Sequence, residues 1–238
     1  MVITPSAPLL AVEKLSVFYD QFRAVDSVDL TVTPGEIVSI IGANGAGKSS
    51  FLKAIVGQGG RVAGSIRFDG QDIAAWPTSR IVGAGIALVP EGRRLFPTLT
   101  VEENLRLGWD VGRRGGMTAE EVFDLFPMLR EKRRVPAGQL SGGQQQMVAL
   151  GRALLSDPRL MLCDEISLGL APAIVNDLYA LLEKINRRGI GIVLVEQDIS
   201  RALNVAHRFY CFLEGRVSLA GVPRATGRET VMKHYFGS

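Results

Sequence analysis

The chain has 238 residues, 47% of them hydrophobic and 21% charged, which is ordinary globular composition with length enough for a large core. Its formal net charge of +3 is mild, fits a solvated Arg-rich surface and calls for no nucleic acid partner. No apolar run reaches the length of a membrane span, and Met1 to Leu10 lacks the basic start and long apolar segment of a signal peptide, so any membrane role is expected to be that of a peripheral subunit.

Residues Leu9 to Val32 alternate in short apolar groups and are predicted to form strands with a turn near Asp20. Glu36 to Ile41 is a β-branched strand bounded by Pro34-Gly35. A Gly-rich loop follows, then a helix from about Lys48 to Val56. Ser65 to Phe68 and Ile86 to Val89 are further predicted strands. From about Pro90 to Asp157 the character turns helical, with helices around Val101–Leu105 and Ala119–Phe123 and a loop at Gly112–Gly116. The α/β pattern resumes with a buried strand at Leu160–Cys163. A helix follows over Ala173–Arg187, with Ile174, Leu178, Leu181, Leu182 and Ile185 on one face and Gly189 ending it. Ile190–Val195 is the next strand, Arg208–Leu219 reads as a hairpin turning at Glu214-Gly215, and Thr226–Phe236 as a terminal helix. The two cysteines, Cys163 and Cys211, both fall in strand-like apolar runs, so they are expected to be buried structural thiols of a reducing compartment. Strands alternating with helices imply a largely parallel sheet, in which ligands bind at the carboxyl ends of the strands.

Three segments carry chemistry. Gly42-Ala43-Asn44-Gly45-Ala46-Gly47-Lys48-Ser49 fits GxxxxGK[ST] between a strand and a helix, the context that separates a P-loop from a chance Gly-rich turn. Its glycines let backbone N–H groups turn inward onto phosphate oxygens, and the helix N-terminus, with Ser50 in its first turn, adds partial positive charge. Lys48 can reach the β- and γ-phosphates of ATP, and the Ser49 hydroxyl can ligate Mg²⁺. Leu160 to Glu165 is an apolar strand ending in two carboxylates. Alone, the pair reads equally well as a loop cap; behind a P-loop, Asp164 can hold Mg²⁺ and Glu165 can polarise an attacking water. Leu140-Ser141-Gly142-Gly143-Gln144 precedes a helical run from Gln145 to Leu155. An N-cap explains Ser141 but not the two glycines, for which an anion at the helix N-terminus would supply a reason.

With LSGGQ beside the P-loop and the Asp164-Glu165 strand, nearly the whole chain resembles the ATPase domain of ABC transporters; small P-loop kinases and GTPases lack LSGGQ. The resemblance implies an α/β fold, with a P-loop NTPase core of mostly parallel sheet, an antiparallel β subdomain and a helical subdomain insertion. One domain is expected over residues 1–238, the core and β subdomain at about 1–89 and 158–238 and the helical part at about 90–157. It also implies two such subunits closing head-to-tail on two ATP molecules, each γ-phosphate met by Ser141 and Gly143 of the opposite subunit, with Gly142 and Gln144 in the same nucleotide-binding segment. Tyr19 stands where the family stacks an aromatic on adenine, with a strand-face tyrosine as the alternative. Ser167-Leu168-Gly169-Leu170 matches the loop that lines the dimer interface, with Ile166 and Ala171 in place of the family's frequent Pro and Asp.

Two departures matter more. Glu91 occupies the place of the family's usual Gln and can approach Mg²⁺ or water as a charged ligand. Gln197 replaces the usual histidine; it can hydrogen-bond a γ-phosphate but carries no charge, leaving the base-like role to Glu165. The only histidines, His207 and His234, lie elsewhere, and His207 reads as a surface or strand-edge residue. Val89 to Phe96, Thr100 to Leu105, Ser167 to Pro172 and Val195-Glu196-Gln197 together resemble the second ATPase of branched-chain amino acid importers, a group that also serves urea, short amides and some aromatic acids. That implies a second ATPase subunit, transmembrane permease subunits contacted by the segment after Glu91, an indirectly coupled extracytoplasmic solute-binding protein, and a place at the cytoplasmic face of the inner or plasma membrane. A non-transport ABC ATPase is the alternative, although such proteins usually join two ATPase domains or insert a long coiled coil. The Arg130 to Arg134 charge run is expected to be a solvated face.

Overall fold

The structure, a computed structural model, describes residues 7–113 and 115–236. Strands β1 (Leu10–Tyr19) and β2 (Phe22–Val32) pair antiparallel and turn at Asp20-Gln21, where Asp20 takes φ 51°. β3 (Ile37–Ile41), buried throughout, leads into α1 (Lys48–Ile55). β4 (Arg61–Phe68) begins before the apolar run that predicts it, because its more polar first half still pairs with β1, Arg61 opposite Phe18. β5 (Gln71–Asp72), α2 (Thr78–Ala84) and β6 (Ile86–Val89) follow. Four α-helices then intervene among the described residues: α3 (Val101–Val111), α4 (Ala119–Leu125), α5 (Pro127–Arg130) and α6 (Gly142–Leu155). The rest alternates as β7 (Leu160–Asp164), α7 (Pro172–Asn186), β8 (Gly191–Glu196), α8 (Ile199–Val205), the hairpin β9 (Arg208–Leu213) and β10 (Arg216–Gly221), and α9 (Arg228–Phe236).

Among the described residues these strands form two sheets. A six-stranded sheet runs β10-β9-β3-β8-β7-β6, parallel except for the β9–β10 hairpin, and a four-stranded antiparallel sheet runs β2-β1-β4-β5. The α/β class with a mostly parallel sheet and an antiparallel β part is therefore the fold the chain adopts. Alternation along each central strand builds a core on both faces of the parallel sheet. Val38, Ile40, Leu160, Leu162, Val193 and Val195 point toward α1 and the antiparallel sheet, while Met161, Cys163, Ile192 and Leu194 point toward α6 and α7.

Several elements differ from expectation for local reasons. Thr100 with Glu103 and Thr118 with Glu121 form capping boxes, which start α3 and α4 firmly and carry them to Val111 and Leu125. α2 escapes a periodicity reading because it buries only Ile81, and α8 because it is one short segment begun by the Asp198 side chain accepting from Arg201 N–H. On α7 the fully buried face carries Val175, with Ile174 half-buried beside it. Both cysteines are buried and unpaired, and burial pushes both thiols up, which leaves them inert. Arg130 and Arg133 of the charge run sit in surface ion pairs with Glu120, Asp124 and Glu102. His207 is exposed just before β9, where its Nδ1 accepts the Ile37 N–H at 2.9 Å.

Arg208 links the two sheets, as does the Arg216–Asp26 ion pair between β10 and β2. Arg208 of β9 donates to both carboxylate oxygens of Glu36 and, at 2.6 Å, to the Thr31 carbonyl of β2. Burial alone would raise the Glu36 carboxyl, but the hydrogen bonds from Arg208 and Thr33 outweigh it and hold it below the usual carboxylate value. Arg208→Met is expected to lower stability by about 2 kcal/mol near neutral pH, read from the urea midpoint. A depressed carboxyl contributes stability above its unfolded pKa and loses it as pH falls through the folded one. The wild-type and variant stabilities should therefore converge in acid; an undiminished gap there would contradict this role.

Candidate functional site

Because β3, β6, β7 and β8 are parallel, their carboxyl ends share one edge of the sheet. Gly42 follows β3, Glu91 lies just beyond β6, Asp164 closes β7 with Glu165 next, and Gln197 follows β8. A cavity of about 520 Å³ opens there, lined by Phe22, Ala24, Asn44, Gly45, Ala46, Gly47, Lys48, Ser49, Ser50, Glu91, Glu165, Leu168 and Gln197. A larger cavity of about 710 Å³ beside α8 and His207 has no carboxylate in its lining, so chemistry rather than volume singles out the first.

The loop is shaped by steric demand. A Cβ on Gly42 would stand 2.5 Å from the Phe212 carbonyl oxygen, and one on Gly47 2.4 Å from that of Ala24. Gly47 also takes φ 96° as the residue before α1. Behind the loop, Gly215 in the β9–β10 turn donates its N–H to the Ala46 carbonyl at 3.1 Å. α1 has no side-chain cap, and its first intrahelical bond runs from Phe51 N–H to Gly47. The N–H groups of Lys48, Ser49 and Ser50 thus lack intrahelical partners at the positive end of the helix dipole, an arrangement suited to an anion.

Charges converge beneath this loop. Lys48 is only 4% exposed; its ammonium donates to the Gly42 and Ala43 carbonyls at 2.7 and 3.0 Å and lies 3.3 Å from Glu165 Oε1. Glu165, itself buried, takes φ 47°, a conformation that costs about 1–3 kcal/mol in a non-glycine residue. Its N–H is anchored on the Val195 carbonyl at 3.0 Å, and its Oε2 accepts from Gln197 Nε2. Asp164 Oδ1 accepts from the Ser49 hydroxyl at 2.9 Å. Burial pushes the Asp164 carboxyl up, with the negative Glu165 and Glu91 adding to the rise and the Ser49 bond opposing it.

The structure adds detail to three expectations. Tyr19 does not line the cavity; the aromatic on its wall is Phe22, which pairs directly with Tyr19 across the β1–β2 turn. That spacing around Asp20-Gln21 was the signal that could have identified Phe22; Leu168 was singled out only as part of the dimer-interface loop, and Ala24 left no signal. Ser141, Gly142, Gly143 and Gln144 lie outside the cavity of their own chain, which leaves their expected place in an opposite subunit's site unaltered. Ser141 does cap α6 in a box with Gln144, and Gly143 has a packing reason besides any anion: a Cβ there would meet the branched Ile174 side chain at 2.8 Å, whereas one on Gly142 would meet only the movable Arg93 guanidinium at 2.9 Å. The Gln197 amide donates to Glu165 Oε2. At the start of α7, Ala171 stands as N-cap with no side-chain bond.

A family profile described as ABC transporter matches residues 25–167. The chain is 44% identical over 211 residues to the high-affinity branched-chain amino acid transport ATP-binding protein BraG of Pseudomonas aeruginosa, covering 88% of this chain and 91% of that protein. It is 31% identical over 238 residues to the lipopolysaccharide export system ATP-binding protein LptB of Haemophilus influenzae, covering 96% and 97%. Its fold matches a dimeric ATP-binding cassette in a post-hydrolysis state bound to ADP and Pi, with a TM-score of 0.80, 27% identity, and coverage of 90% of this chain and 99% of that one. A nucleotide loop and paired carboxylates on one strand edge, a capped LSGGQ helix set apart from them, and these likenesses lead to one conclusion: the chain belongs to the ABC transporter family, as one of its ATP-binding, ATP-hydrolysing subunits.

Proposed function

We propose that this subunit powers import of branched-chain amino acids by hydrolysing ATP at the strand edge that gathers residues 42–50, Asp164, Glu165 and Gln197. The observation that carries the site is the Lys48–Glu165–Gln197 cluster under the loop. The solute class is supported by the 44% identity to BraG against 31% to the export protein LptB.

In this reading the loop N–H groups and Lys48 hold the ATP phosphates. The base of the adenine faces the aromatic pair Tyr19 and Phe22 at the β1–β2 turn. Mg²⁺ fits the residues present: the Ser49 hydroxyl and Asp164 carboxylate lie side by side, burial raises Asp164 and the nearby Glu165 and Glu91 add to the rise, and among the described residues no larger His, Cys, Asp and Glu cluster forms a dedicated metal cage. Such a sparse donor set suits an ion that keeps waters and substrate phosphate oxygens. Ser49 and Asp164 would hold it, with Glu91 as a further carboxylate near Asp164, and when bound it would neutralise phosphate charge. Glu165 takes the proton of the attacking water, and Gln197 keeps that carboxylate oriented.

Ser141, Gly142, Gly143 and Gln144, remote from their own cavity, complete the site of a second ATPase subunit packed head-to-tail. Permease subunits would seat on the segment after Glu91 and place the protein at the cytoplasmic face of the membrane, with an extracytoplasmic binding protein coupled through them. Among the described residues no helix is long and apolar enough to cross a membrane.

Glu165→Gln is expected to slow phosphate release by about 10²–10⁴-fold while ATP still binds, and to accumulate an ATP-bound dimer on a sizing column. A variant that stays monomeric with Mg-ATP would remove the head-to-tail arrangement. Gln197→Ala should lower kcat by about tenfold or more with KM little changed, since it frees Glu165 to misorient; normal turnover in the assembled transporter would show that the Glu165 contact has no catalytic use. Cells carrying Lys48→Ala should lose uptake of leucine, isoleucine and valine. Selective loss of urea, amide or aromatic acid uptake would reassign the solute, and no loss at all would leave an ATPase without an import role.

A further inference from the structure

Glu196 is a carboxylate that the hydrolysis scheme above does not use. It closes β8 with a side chain only 3% exposed. One oxygen, Oε2, accepts from the Ser167 hydroxyl at 2.8 Å, while Oε1 is buried with no hydrogen-bond partner. The Tyr179 hydroxyl of α7 adjoins this carboxyl and is likewise buried without a partner. Burying a carboxyl at the end of an apolar strand is costly unless hydrogen bonds offset it, so what it bonds to matters.

Its neighbours show what that is. Val195, Glu196 and Gln197 are consecutive, and each grips the segment after β7: the Val195 carbonyl takes Glu165 N–H, Glu196 takes Ser167 Oγ, and Gln197 takes the Glu165 carboxylate. Glu165 has the strained φ of 47° that such external contacts must maintain. Leu168, one residue beyond Ser167, lines the nucleotide cavity and is 53% exposed. The same short loop therefore carries the proposed base at one end and a cavity wall at the other.

We infer that Glu196 is a positioning residue for ATP hydrolysis, latching Ser167 so that the 165–170 loop presents Glu165 and Leu168 to the nucleotide. It acts through the loop, without touching the substrate. The inference rests on the proposed role of Glu165, so Glu165→Gln is run alongside as a control.

The test is steady-state phosphate release by the purified protein, with thermal midpoints measured in parallel. Ser167→Ala and Glu196→Ala should each lower kcat about tenfold with KM for ATP within about twofold. Glu196→Gln, which keeps an acceptor oxygen for Ser167 and adds a donor toward Tyr179, should recover most of the rate. The Ser167→Ala/Glu196→Ala double variant should be no slower than its worse parent, since both remove one contact. Unchanged kcat in both single variants, losses that multiply in the double variant, or a lowered midpoint with normal kcat overturns the inference. If Glu196→Ala does not fold, the half-buried loop residue Ser167 carries the test by itself. A Glu165→Gln protein with wild-type turnover would instead overturn the role of Glu165, whichever way the latch variants behave.

Discussion

Strand β8 lies between β3 and β7 and pairs in parallel with both, Ile41 opposite Glu196 on one side and Asp164 opposite Val195 on the other. Every residue of these three strands is buried. A slip of one residue would turn the core-facing side chains over, so the register is held by apolar burial on both faces. It is also the register that sets the loop after β3 against Glu165 and Gln197. Chemistry at the edge thus depends on packing beneath it, and a void at Val193 or Leu194 would be felt in the relative height of the three strand ends.

The edge concentrates charges that would be costly apart. Lys48 and Glu165 are both nearly withdrawn from solvent and offset one another, with two backbone carbonyls completing the ammonium's shell. Asp164 has a hydroxyl for a partner, and burial, with Glu165 and Glu91 adding to it, raises its carboxyl. A neutral amide at residue 197 fits the same balance: it donates to Glu165 without adding a second positive charge beside Lys48.

The LSGGQ segment shows how one stretch can serve two constraints. Ser141 and Gln144 cap α6 reciprocally, and the glycines between them admit Ile174 and Arg93 at close range. These local demands account for the helix start within one chain. They do not account for its distance from the nucleotide cavity, which a head-to-tail partner would.

The elements that the sequence specified by itself are those whose cause is local. The β-branched Ile37–Ile41 run, the GxxxxGKS loop, and the apolar strand ending in Asp164-Glu165 were legible because strand propensity, glycine conformation and motif spacing act over a few residues. The Glu214-Gly215 turn was legible for the same reason, both residues taking positive φ. What tertiary structure decided involves residues far apart in the chain. Arg208 joins Glu36 and Thr31 across about 170 residues, and Gly215 props the loop at Ala46 from a similar distance. Phe22 rather than Tyr19 reached the cavity wall because the β1–β2 turn, not the order of residues, sets which aromatic faces it. Gln197 was legible as a replacement, but its engagement with Glu165 was not. A side-chain amide can meet a phosphate or a carboxylate equally well, and only the register of β7 against β8 brings the carboxylate within reach.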